Sequence, residues 1–136
     1  MGDGKWGQEM KTLAKHNRGQ SLVEFAFVIP ILLILMVGIM EFSRAWMTKN
    51  ILTSAAREGA RAAAVGEDYV GRANYVLNSA NIFTASVDGS FPGYKYGPIT
   101  VTITYDFPVS VPGFLPGWSA ATIWLEGRAT MAQEYD

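Results

Sequence analysis

Cysteine is absent from the 136 residues, and histidine occurs once, at His16. Without thiols there is no disulfide framework and no thiolate nucleophile. One imidazole cannot complete a zinc cluster that has no sulfur ligands. A Ser-His-Asp triad would have to use His16 as its base, yet His16 precedes a long apolar run that should separate it from any folded domain. An excess of charge of one sign is also lacking: eleven Lys and Arg stand against twelve Asp and Glu, a formal net charge of −1. That balance gives no sequence-wide attraction to nucleic acid, and beyond the first twenty residues no basic cluster is interleaved with aromatics. No internal repeat or low-complexity stretch is present. The expectation is a protein that is not an enzyme, with no catalytic residues, no metal, no cofactor, no nucleic-acid partner and no small-molecule substrate.

What the chain does contain is "RGQSLVEFAFVIPILLILMVGIMEF", Arg18 to Phe42. From Leu22 to Met40 every residue except Glu24 is apolar, Gly or Pro. These 19 residues span about 28 Å as a helix, close to a hydrocarbon core of about 30 Å. A core helix of a soluble protein is the competing reading, but a helix apolar on all faces is unusual in so short a chain. Pro30 removes one helical hydrogen bond and favours a local kink. Glu24 is the anomaly. A carboxylate costs roughly 2.5–3.5 kcal/mol at the centre of a membrane helix and less toward its ends. Either it is a helix-end carboxylate favoured by the macrodipole, or a positive group is brought to it.

The segment 1–19 carries Lys5, Lys11, Lys15 and Arg18 and reads as a flexible basic leader, with one helical hint at Met10–Ala14. Past the apolar run the helix is predicted to continue to about Val65. Phe42, Trp46, Ile51, Leu52, Ala55, Ala56, Ala60 and Ala63 form a stripe of helical period, and Gly66 is placed to end it. Such a helix, Ser21 to Val65, would be about 67 Å long, more than a small domain can cover. Arg57, Glu58 and Arg61 read as a solvated or subunit-facing polar edge, and Trp46 as an interfacial anchor. Residues Tyr69–Ala80 space as a short amphipathic helix. "NIFTASVDG" reads as a strand ending at an Asp-Gly turn, and "SFPGYKYGP" as a loop. "ITVTITYDF" is the clearest strand, with Ile99, Val101, Ile103, Tyr105 and Phe107 on one face. "PVSVPGFLPGWS" reads as a connection too broken by Pro for a central strand. Its Phe114, Leu115 and Trp118 form either a contact patch or a cover for the sheet. "AATIWLEGRATMA" is the last strand. The predicted fold class is α+β: a long N-terminal pilin-type helix, a short second helix and a small antiparallel sheet of about three strands. Its apolar face should be covered by the second half of the long helix. The expected division is 1–19, 20–65 and 66–136.

Gly19, then Glu24 five residues on, then Phe25, resembles the cleavage site of type IV prepilins, which a membrane-bound aspartyl peptidase cuts after the glycine. With "NILTSAAREGARAAAVG" and the closing "SAATIWLEGRATMAQE", the chain from Arg18 resembles the TadE-like family of the tight adherence system, pilin-like subunits of the type IVc pathway. The resemblance implies cleavage between Gly19 and Gln20, with Glu24 at mature position five and Glu24 and Phe25 as assembly and recognition residues. Gln20 stands where many pilins have Phe or Met. The implied partners are other pilin subunits, the prepilin peptidase, an inner-membrane assembly platform and membrane lipid. The implied place is the bacterial inner membrane, crossed once, with the C-terminal domain periplasmic or extracellular. Cleavage would create an α-amine, largely cationic at neutral pH, which a neighbouring subunit could present to Glu24. The alternatives are a secreted binding module whose apolar run is a signal peptide cut after Ser43-Arg44-Ala45, or an uncleaved single-pass anchored module.

Overall fold

The computed structural model describes residues 3–94, 96–110 and 121–134, residues 3–18 through their backbone alone. Five elements follow in order: helix α1 (Asp3–Ala64), helix α2 (Tyr69–Ser79), and strands β1 (Ser86–Ser90), β2 (Pro98–Val109) and β3 (Ala121–Ala132). The strands form one antiparallel sheet in the order β1-β2-β3. The architecture is the α+β one expected. The chain divides into two compact units, Met1–Ile39 and Met40–Asp136.

In the first unit α1 begins at Asp3, so the segment read as a flexible leader is helical. No proline precedes Pro30. Lys, Gln, Glu, Met, Leu and Ala are all good helix formers, and extending an existing helix is far cheaper than starting one. Pro30 lies within α1 without ending it.

In the second unit the helical stripe is buried where it meets the sheet. Leu52, Ala55, Ala56 and Ala60 join Val101 and Ile103 in one core with Ala73 and Leu77 of α2. The small side chains of α1 let its backbone come close to the strands. Closest is Gly127, at the middle of β3 opposite Ile103. A Cβ there would lie 2.6 Å from both the Leu52 carbonyl oxygen and the Thr53 nitrogen. Phe42 and Trp46, the first members of the stripe, are exposed. The helix ends as expected at Gly66, with φ 78°. The Glu67 and Gly66 N–H groups donate to the carbonyls of Ala62 (2.8 Å) and Ala63 (3.1 Å), which closes the last turn in a Schellman arrangement.

Helix α2 is capped by Asp68, whose carboxylate accepts from the N–H groups of Val70 (3.1 Å) and Gly71 (3.0 Å). Asp68→Ala should therefore cost about 1 kcal/mol, read as a lower thermal midpoint. Asp68→Asn should recover most of it, since the amide oxygen can accept the same bonds.

Two strand boundaries differ from the sequence reading. Asp88 and Gly89 lie inside β1 and not in a turn. The rings of Tyr69 and Phe91, edge to face at 5.3 Å, close over Gly89, and a Cβ there would meet both at 2.9 Å. The glycine serves ring packing, and the chain turns in the following loop. Strand β2, central in the sheet, continues through Pro108 to Val109. β1 pairs only with Thr100–Thr104. Beyond Thr104 β2 is an edge on that side, where a missing N–H costs no ladder bond. Phe114, Leu115 and Trp118 lie outside the described residues.

Candidate processing and assembly site

Gly19, Gln20, Glu24 and Phe25 all lie on α1 and all are exposed. Around Gly19 the space is open, with nothing within 4 Å of where a Cβ would stand. The helix brings Gln20 and Glu24 to the same face one turn apart. Phe25 lies about 100° further round, as one residue of a 3.6-residue turn requires. Glu24 makes no hydrogen bond or ion pair with the described residues. The one ion pair among them joins Arg44 to Glu41. Among the described residues the carboxylate therefore gains nothing that would offset transfer out of water.

The residues after Glu24 argue against a core helix. Gly19–Ala64 contains a window long and apolar enough to cross a membrane, and none of that window is buried within the chain. Leu22, Phe25, Phe27, Ile31, Leu35 and Ile39 are all more than half exposed. Soluble proteins rarely leave so large a contiguous apolar surface in water. The helix is long and apolar enough to cross a membrane once, which is consistent with a single-pass anchor.

Sequence reasoning missed a polar cluster just beyond the apolar run. Arg44 Nη1 donates to Glu41 Oε1 (2.9 Å), Glu41 Oε2 (3.0 Å) and Ser110 Oγ (2.9 Å). The Ser110 N–H donates to Glu41 Oε1 at 3.2 Å. The guanidinium carbon sits 5.1 Å from the centre of the Phe107 ring. Glu41 is 14% exposed and Arg44 45%, so the cluster ties the end of β2 to α1. The spacing of Glu41 and Arg44 was the only signal; partners 66 and 69 residues away leave none. Arg57, Glu58 and Arg61 are exposed, as a polar edge should be. Trp46 stacks on Phe42 with ring centres 6.2 Å apart. Both line an open apolar groove of about 480 Å³ with Met47, Ile51 and Val76.

These features describe an α+β protein whose N-terminal helix is long and apolar enough to cross a membrane once, exposes its apolar residues, and carries at Glu24 a carboxylate with no partner among the described residues. Residues 19–61 match the family model described as TadE-like protein. The match begins at Gly19 and takes in Gln20, Glu24, Phe25 and the "REGAR" stretch, so this segment is TadE-like, as the sequence resemblance implied. No curated protein and no solved structure matches the chain.

Proposed function

We propose that this chain is a structural pilin-like subunit, a minor pilin or pseudopilin, of a type IVc tight adherence pilus. It is inserted in the bacterial inner membrane, cut between Gly19 and Gln20 by a prepilin peptidase, and assembled through α1 with other pilin subunits on an inner-membrane platform. The folded unit lies on the periplasmic side. The observation that carries this reading is the TadE-like match starting at Gly19, on a helix whose apolar residues are exposed and whose Glu24 has no partner among the described residues. A filament of such helices would cover the first and supply the second. The work done is mechanical and adhesive, and no step of it needs a catalytic group.

N-terminal sequencing of the protein from its native membrane tests this directly. A start at Gln20 supports the reading. A start at Trp46 would indicate a signal peptide and a secreted module, and a start at Met1 an uncleaved anchor. Gly19→Ala should leave the leader attached, because a peptidase that cuts after glycine must approach the chain closely there. The intact mass of the membrane-bound variant checks this, and a normal mature mass would remove Gly19 from its assigned role.

A further inference from the structure

Between its prolines at either end, Pro98 and Pro108, the outer face of the sheet is polar except at one place. Asp88 of β1, Thr100, Thr102, Thr104 and Asp106 of β2, and Glu126, Arg128 and Thr130 of β3 lie on it by strand alternation. Trp124 stands among them, 81% exposed, the most exposed of the large apolar side chains among the described residues. A ring so far into water adds little to folding, so its placement needs another reason. Asp106 is directly opposite Trp124, and Thr104 is opposite Ser86. Trp124, Asp106, Thr104 and Ser86, with Thr84 and Tyr105, line a shallow depression of about 160 Å³.

We propose that this depression is a binding site for a neutral pyranose sugar. The indole offers a flat apolar face to the C–H side of the ring. Asp106, ionised and acceptor-only, takes sugar hydroxyl protons in charge-assisted bonds. Thr84, Ser86 and Thr104 carry hydroxyls that can either donate or accept, as a polyol requires. The volume is well below the roughly 300–1,000 Å³ of drug-sized sites, so the depression holds one ring of a longer glycan. Asp88, Asp106 and Glu126 outnumber Arg128 on this face, which disfavours acidic sugars.

A cation over the indole, with Asp106 as its counter-charge, is the competing chemistry. It fits less well. An ammonium has donors only, and one carboxylate lines the depression against three aliphatic hydroxyls. None of the residues lining the depression belongs to α1, so sugar binding and filament assembly succeed or fail separately.

The test is heteronuclear NMR of the full chain in a detergent without a sugar headgroup, following the backbone amides of Thr104, Asp106 and Glu126, which every variant below retains. Soluble neutral oligosaccharides of glucose, galactose and mannose are titrated, with an acidic oligosaccharide and oligolysine in parallel. The expected result is a saturable shift with at least one neutral sugar, half complete near about 1 mM, as befits a single small contact. Trp124→Ala should abolish it, Asp106→Asn should weaken it about tenfold, and Trp46→Ala should leave it unchanged. Trp124→Tyr, which keeps a flat ring, should retain part of the binding and guards against a folding defect. No shift with any neutral sugar, equal binding by Trp124→Ala, or a response to oligolysine in place of sugar would each overturn the proposal.

Discussion

Gly127→Ala is expected to lower the melting temperature of the folded unit by roughly 10 °C, and Gly127→Val to prevent its folding. The added Cβ would meet backbone atoms of α1, at 2.6 Å from the Leu52 oxygen and the Thr53 nitrogen. Backbone inside a helix cannot rotate aside as a side-chain tip can. To restore an ordinary contact of about 3.4 Å the helix must lift from β3 by close to 1 Å. That movement opens the seam where Leu52, fully buried, packs with Val101 and Ile103. Overfilling of this kind costs typically 1–3 kcal/mol, and each kilocalorie shifts the midpoint by about 4–8 °C in a domain of 60–100 residues. The control is Gly93→Ala, where nothing lies within 4 Å of the new methyl and the change should stay within about 0.5 kcal/mol. The measurement is near-ultraviolet circular dichroism of the full chain in detergent against temperature. If Gly127→Ala melts with Gly93→Ala, then α1 and the sheet are not in the close contact on which the core depends.

That contact marks where sequence reading stopped. The pattern of β2 was legible because alternation of Ile99, Val101 and Ile103 with Thr100, Thr102 and Thr104 states both the strand and its buried face. The helical stripe from Ile51 to Ala63 was legible for the same reason at a period of 3.6 residues. Gly66 declared itself because only a residue tolerant of positive φ closes the helix comfortably. By contrast Gly127, within an alternating strand, looked like one more small residue, since what it meets is 75 residues earlier in the chain. Gly89 misled because Asp-Gly has a local meaning as a turn, and the packing of Tyr69 against Phe91 overrides that meaning through contacts that no local pattern encodes. Pro108 misled in a related way: a central strand need not be central along its whole length.

At the candidate processing and assembly site the division runs differently. Gly19, Gln20, Glu24 and Phe25 were identified entirely from spacing and resemblance. The fold adds that Glu24 has no partner within the described residues and that the apolar surface after it is uncovered. On the proposed function both features would be completed by neighbouring subunits, which no intrachain pattern can encode. The Glu41–Arg44–Ser110 cluster was hidden for the opposite reason, because its long-range half is entirely a product of the fold.

Glu24→Gln is expected to be cut and inserted normally but to fail in filament assembly. The amide keeps nearly the shape of the carboxylate, so a peptidase reading side-chain size at this position still accepts it. It is also cheaper to place at the edge of a bilayer than a charged group, so insertion does not suffer. On the proposed function, what is lost is the partner for a neighbouring subunit's α-amine, which cleavage before Gln20 would free. On an exposed rim such a pair is worth at most about 1 kcal/mol, and its loss would change assembly several-fold. Between apolar helices, with water excluded, removing one partner leaves the amine charged and unpaired, at a cost of about 3–5 kcal/mol, or more than a hundredfold in the assembly equilibrium. The apolar residues that follow Glu24 favour the second case, since Leu22 to Met40 offers no other ionisable group to receive the amine. Processed subunit in the membrane and sheared filament at the cell surface should be quantified separately for wild type and Glu24→Gln. Normal processing with filament incorporation reduced by two orders of magnitude fits a desolvated pair, and a several-fold reduction fits a rim pair. Incorporation at the wild-type level would make Glu24 an ordinary helix-end carboxylate, favoured only by the macrodipole, and the register of the assembly would have to be set elsewhere on α1.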